Sequence, residues 1–148
     1  MMIKLMIFRL RKSWPMLIIV ISLLVAMVVP AGAQTANLAA GKPVTGSIAI
    51  QNAAFITNGD KNTANYAGLE SGAQWIQIDL GQVYNLNHIN VWHYFGDGRT
   101  YRDVIVKVST SANFSSGVTT VFNNDTNNSA GQGAGSDAEY AETSTGKS

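Results

Sequence analysis

Apolar and polar side chains alternate with a period of two over residues 74–80 and 103–110. In the first stretch Ile76, Ile78 and Leu80 alternate with Gln77 and Asp79. In the second, Val104, Val106 and Val108 alternate with Ile105, Lys107 and Ser109. Residues 83–94 repeat the pattern, Ile89 and Val91 against His88, Asn90 and Trp92, with a break at 85–87. A period of two sends one set of side chains into a core and the other to the opposite face. Three central strands are therefore predicted, with Ile105 facing a second layer or solvent and Trp75 and Trp92 opposite the core parity. Shorter strands are predicted at 44–50, 118–122 and 138–143. Between them lie turns at 41–43, 55–63 and 111–117 and a polar loop at 123–135. No helical periodicity follows residue 33, and no internal repeat is visible. The pattern predicts an all-β chain folded as a jelly-roll β-sandwich. Five or six strands fall short of the eight of a closed jelly roll. The expectation is that the last strands are missing and that the 104–108 face stands open to aggregation.

The first 33 residues follow a different logic. Lys4, Arg9, Arg11 and Lys12 precede an apolar run at 16–29, and Ala31-Gly32-Ala33 is an A-x-A cleavage site. This is the pattern of a secretory signal peptide. The run is shorter than the roughly 20 residues of a membrane span. Residues 34–148 then form the mature domain, expected to be secreted and free of the membrane. That part carries six basic and nine acidic residues, a net charge of −3. A mildly acidic chain without a basic cluster argues against nucleic acid and against anionic membrane as partners. The chain has no cysteine, so disulfides cannot fix its loops, and a bound metal ion is a common substitute.

Three ordered motifs carry a family resemblance. They are Asn37-Leu38-Ala39 with Gly41-Lys42-Pro43-Val44, then 58–63 (NGDKNT), then 75–81 (WIQIDLG). Together they resemble the discoidin or coagulation factor 5/8 type C family, which overlaps the family 32 carbohydrate-binding modules. The resemblance covers residues 36–148. It implies a galactose-binding-domain-like sandwich that holds glycans, lipid head groups or proteins in loops at one end. It also implies a structural calcium ion in many members. The family's closing R-Y-[VI]-R and E-[IV]-E-[VI] strands have no counterpart here, which again points to a partial domain.

The same resemblance singles out residues. The loop at 58–63 corresponds to the family's D-G-D-x-x-T calcium loop, with Asn58, Asp60 and Thr63 as oxygen donors. Asn58 replaces the first Asp and removes one charge. Without the resemblance, the loop reads equally as an Asn-Gly turn followed by an Asx-turn. The second region is the loop at 93–102. His93 shares the parity of Ile89 and Val91, so it points inward at the rim of the sandwich, where it is expected to open onto a pocket. Tyr94 or Phe95 offers a flat apolar face. Asp97 and Arg99 offer paired hydrogen bonds to vicinal hydroxyls, a combination suited to sugars. The bland alternative pairs Arg99 with Asp97 or Asp103. The resemblance adds Asn65 or Tyr66 as a contact from the loop after the calcium motif, and a galactose-type extracellular glycan as ligand.

Catalytic patterns are weak. His88 and His93 differ by an odd number, so they face opposite ways on a strand and cannot share a metal. There is no G-x-S-x-G elbow. Glu139 and Glu142 are expected to be solvated, and the glycines at 131, 133 and 135 to mark a flexible loop. Sequons place possible glycans at Asn113, Asn124 and Asn127. The expected function is a secreted, non-catalytic carbohydrate-binding module, part of a larger enzyme or adhesin. The alternative is a protein or cell-surface adhesion domain without a sugar pocket. Oligomeric state is not legible.

Overall fold

The computed structural model describes residues 36–62, 64–143 and 146. The predicted leader at 1–33 and Thr63 lie outside the described residues. The described part is built from strands and loops, with one four-residue 3-10 turn, Ala53–Ile56. Six strands pair two by two. β1 (Val44–Gly46) runs antiparallel to β2 (Ile76–Ile78). β3 (Thr100–Tyr101) pairs with β6 (Tyr140–Ala141). β4 (Ile105–Ser109) pairs with β5 (Val118–Asn123), with a register shift between Val106 and Lys107. The fold class is all-β, as the alternation indicates, and the ladders stand as three antiparallel pairs.

The core follows the alternation on β2 and departs from it on β4. Ile76, Ile78 and Leu80 are buried, while Gln77 and Asp79 are half-buried. Leu38, Val44, Ile56, Tyr84, Leu86 and Val108 pack around Ile78 and Leu80. On β4, Val104, Ile105 and Val106 are all buried. Ile105, expected to face a second layer or solvent, is only 1% exposed. A strand covered on both faces reads as a continuous apolar run, and Val104-Ile105-Val106 is such a run. The expected open face at 104–108 is therefore corrected. Among the described residues the exposed valines are Val83 and, on β5, Val118 and Val121.

Two strand expectations are also revised. Residues 83–94 form no strand, although Ile89 and Val91 are half-buried. Alternation reports which side chains face the core; a ladder also needs a neighbour at hydrogen-bonding distance. β3 had no apolar alternation to announce it and was not expected.

The loop at 123–135, expected to be flexible, is closely bonded instead. Asn124 is 2% exposed. Its Oδ1 accepts the Val104 N–H at 2.6 Å, and its Nδ2 donates to the Tyr101 carbonyl at 3.1 Å and the Ala138 carbonyl at 3.5 Å. One side chain thus ties together the start of β4, the end of β3 and the approach to β6. It is no acceptor for a glycan in the folded chain. Asp125 is fully buried beside it. Its carboxylate accepts the N–H groups of Ser129 and Ala130, each at 2.9 Å, and the Ser129 hydroxyl at 3.3 Å. Burial pushes the Asp125 pKa up, but the backbone donors of Ala130 and Ser129 outweigh it and hold the group below its ordinary value.

Replacing Asn124 by Ala leaves the Val104 N–H and two carbonyls without their partner. A loss of about 2 kcal/mol is expected for one buried polar group so orphaned. The shift in the urea midpoint at constant slope measures it.

Candidate functional site

The residues singled out in sequence fall into a surface group and a buried group. The surface group joins the loops that follow the 3-10 turn and precede β3. The ring of Tyr66, 55% exposed, meets that of Tyr94 edge-on, centroids 5.5 Å apart at 67°. The Arg99 guanidinium lies 5.1 Å from the Tyr94 ring centroid. Arg99 Nε donates to both Asp97 oxygens at 2.9 and 3.0 Å, and Nη2 bonds Oδ2 as well. The pair is exposed. The Arg99 hydrogen bond holds the Asp97 carboxyl below the usual carboxylate range, and Asp97 pushes Arg99 upward. The structure thus unites Tyr66, Tyr94, Asp97 and Arg99 into an aromatic surface bordered by a fixed ion pair. Phe95 is half-buried.

The 58–62 loop adjoins this surface through Asn65, whose Nδ2 donates to Asp60 Oδ2 at 2.6 Å. Three Asx-turns succeed one another. Asn58 Oδ1 accepts the Asp60 N–H at 2.9 Å, Asp60 Oδ1 that of Asn62 at 2.8 Å, and Asn62 Oδ1 that of Ala64 at 3.0 Å. The Asn65 amide, with the Asn62 N–H, lowers the Asp60 pKa. Among the described residues, no group of three or more His, Cys, Asp or Glu is placed to hold a metal ion. The donor set at 58–62 is all oxygen, which suits a hard cation, and carries one acidic side chain. Lys61 sits 4.8 Å from the Trp92 ring centroid, and Trp92 stays partly exposed.

The buried group centres on His93. Its inward orientation agrees with the parity, but the ring is sealed rather than open to a pocket. It is 5% exposed and stacks on Tyr101, centroids 4.2 Å apart at 30°. Glu142 Oε2 accepts the His93 backbone N–H at 3.0 Å and lies 3.2 Å from Nδ1. The Tyr140 hydroxyl is 3.0 Å from the same nitrogen. Glu142, expected to be solvated, is thus buried, whereas Glu139 forms an exposed ion pair with Arg102 at 2.9 Å. Tyr140 and Glu142 are two residues apart on an extended segment and share a face. That spacing was the available signal for this cluster, which the sequence reading missed. Tyr101 continues the chain of contacts, donating its hydroxyl to the Tyr94 carbonyl at 2.7 Å. The buried cluster therefore lies directly beneath the Tyr66–Tyr94 surface.

Burial lowers the His93 pKa more than the hydrogen bond and charge of Glu142 raise it. Burial thus favours the neutral ring, and Nδ1 faces both Glu142 Oε2 and the Tyr140 hydroxyl. Nε2 has no hydrogen-bond partner among the described residues, a smaller penalty for a lone pair than for a buried N–H⁺. The unfolded chain binds this proton near pH 6.5, and the folded chain binds it only below that value. The unfolded state then holds more protons, so stability falls as pH drops through 6.5 and levels off below the folded pKa. Urea midpoints measured from about pH 8 down to about pH 5 should decline over this window, and the decline should be shallower in His93→Gln.

Comparison with known proteins agrees with this architecture. Residues 55–145 match the F5/F8 type C family model described as the NedA-like, galactose-binding domain. No curated protein and no solved structure matches the chain significantly. The matched stretch takes in the Asx loop, the Tyr66–Tyr94 surface and the His93 cluster, and the chain belongs to this F5/F8 type C, galactose-binding-like family.

Proposed function

We propose that the chain is an exported, non-catalytic carbohydrate-binding module that receives a galactose-type glycan on the surface formed by Tyr66, Tyr94, Asp97 and Arg99. The observation that carries this reading is the exposed Tyr66 ring set against Tyr94, with the Asp97–Arg99 pair at its border. The apolar face of a pyranose stacks on an aromatic ring, and vicinal hydroxyls bridge a carboxylate and a guanidinium. The family's description as galactose-binding supports the same ligand class. Asn65 holds the edge of this surface through Asp60, and His93 supports it from beneath without touching the ligand.

Calorimetric titration of the folded chain with galactose- and hexosamine-containing glycans tests the proposal. Tyr66→Ala and Tyr94→Ala should each weaken binding roughly three- to tenfold, the value of one aromatic contact. Arg99→Ala should weaken it at least as much. If the folded protein binds none of these glycans, the reading fails. Adhesion to cells or matrix that survives Arg99→Ala would instead favour a protein partner.

Calcium belongs to the proposal as a structural ion. Asn58, Asp60 and Thr63 would supply oxygens to it, with one acidic side chain among them, so binding would be weak. Millimolar calcium should raise the thermal midpoint of the wild type and leave Asp60→Asn unchanged. An equal shift in both proteins removes Asp60 from the site.

A further inference from the structure

Asn58-Gly59 is the chain's single Asn-Gly pair. It is built like a second turn, Asp97-Gly98. In both, the glycine adopts a left-handed φ, +79° at Gly59 and +68° at Gly98. In both, the side-chain Oδ1 of the preceding residue accepts the N–H two residues on, from Asp60 at 2.9 Å and from Arg99 at 3.3 Å. This hydrogen bond ties the side chain back to its own loop as an Asx-turn. Asn58 and Gly59 are both exposed, and a Cβ at either glycine would have open space around it. Asn113 makes the same turn to Ser115 N at 3.0 Å, but its successor is Phe114, with φ +56°. There a bulky side chain flanks the nitrogen. The three turns thus share a geometry and differ in chemistry.

We propose that Asn58 is a self-modification site that deamidates to aspartate, whereas the equivalent Asp97 is inert. The Gly59 backbone nitrogen loses its proton to hydroxide and bonds to Asn58 Cγ. The Cγ–Nδ2 bond breaks, and ammonia leaves with a proton from water. The resulting five-membered imide is opened by water. Attack at Cγ gives aspartate, and attack at the backbone carbonyl gives the isoaspartyl linkage. The net change is amide plus water to acid plus ammonia, with no redox partner. At Asp97 the carboxylate is ionised and clamped by three bonds from the Arg99 guanidinium. A carboxylate anion does not accept a nitrogen nucleophile. Conversion at Asn58 places a second carboxylate two residues from Asp60, whose Oδ2 already binds Asn65. The inference does not depend on which glycan is bound.

The test is incubation of the full chain in oxygen-18 water at mildly alkaline pH, followed by peptide mass spectrometry. Asn58 should take up label at least roughly tenfold faster than Asn113, a barrier difference of about 1.4 kcal/mol. Asn58→Gln, which cannot close the five-membered ring, should stay unlabelled, with circular dichroism checking that it is folded. Asp97 should stay unlabelled in the wild type and in Arg99→Ala, since its carboxylate is ionised at this pH with or without the guanidinium. Labelling of Asn58 no faster than Asn113, or labelling of Asp97 at the rate of Asn58, overturns the proposal.

Discussion

A carboxylate removed from water must find donors, and Glu142 finds them 49 residues away. Its Oε2 meets both the backbone N–H and the ring of His93. Leaving that carboxylate unpaired would cost several kcal/mol, so β6 cannot separate from the loop that carries His93 without a large penalty. The ladder alone could not provide this: β3 and β6 pair through only two residues on each strand. The stacked rings of His93, Tyr101 and Tyr140 fill the space between. The Tyr101 hydroxyl then fixes the Tyr94 backbone. The position of an exposed ring is thereby set by an acid near the other end of the domain.

What was legible in sequence was what depends on neighbours along the chain. The alternation of Ile76, Ile78 and Leu80 located β2, and the Val104 run located β4. The Asn58-Gly59-Asp60 spacing indicated a turn and one Asx-turn, where the chain forms three, and the parity of His93 gave its inward direction. What was illegible depends on partners distant in sequence. Ile105 is buried, and its alternation could not tell a second layer from solvent. Ile89, Asn90 and Val91 are all half-buried, with one bridge at Val91 and no strand. Glu142 looked solvated because a lone acid beside a weak strand gives no sign of a histidine waiting for it. The His93 case shows the boundary well: direction was local and correct, whereas the seal over the ring came from Tyr101, Tyr140 and Glu142.

The surface site itself uses little long-range structure. Tyr66 and Tyr94 come from two loops, and each loop sets its own shape by side-chain bonds to nearby backbone. Asp97 turns on Arg99, and Asp60 on Asn62 and Asn65. The rigid part lies below, in the His93 cluster and the Asn124 bridge. Binding surfaces of this type combine locally wired loops with a scaffold that fixes their spacing.

The wiring at Asn124 and Asp125 has a further consequence. A chain with no cysteine has its longest polar loop bound by a buried carboxylate and a buried amide. These bonds form in the same way whatever the thiol–disulfide potential around them. No oxidase is needed to complete the loop, no shuffling of cystines can trap it in a wrong connectivity, and no reductant can open it. The domain can therefore be joined to partners of either redox habit, and its fold is indifferent to the compartment in which that joining takes place.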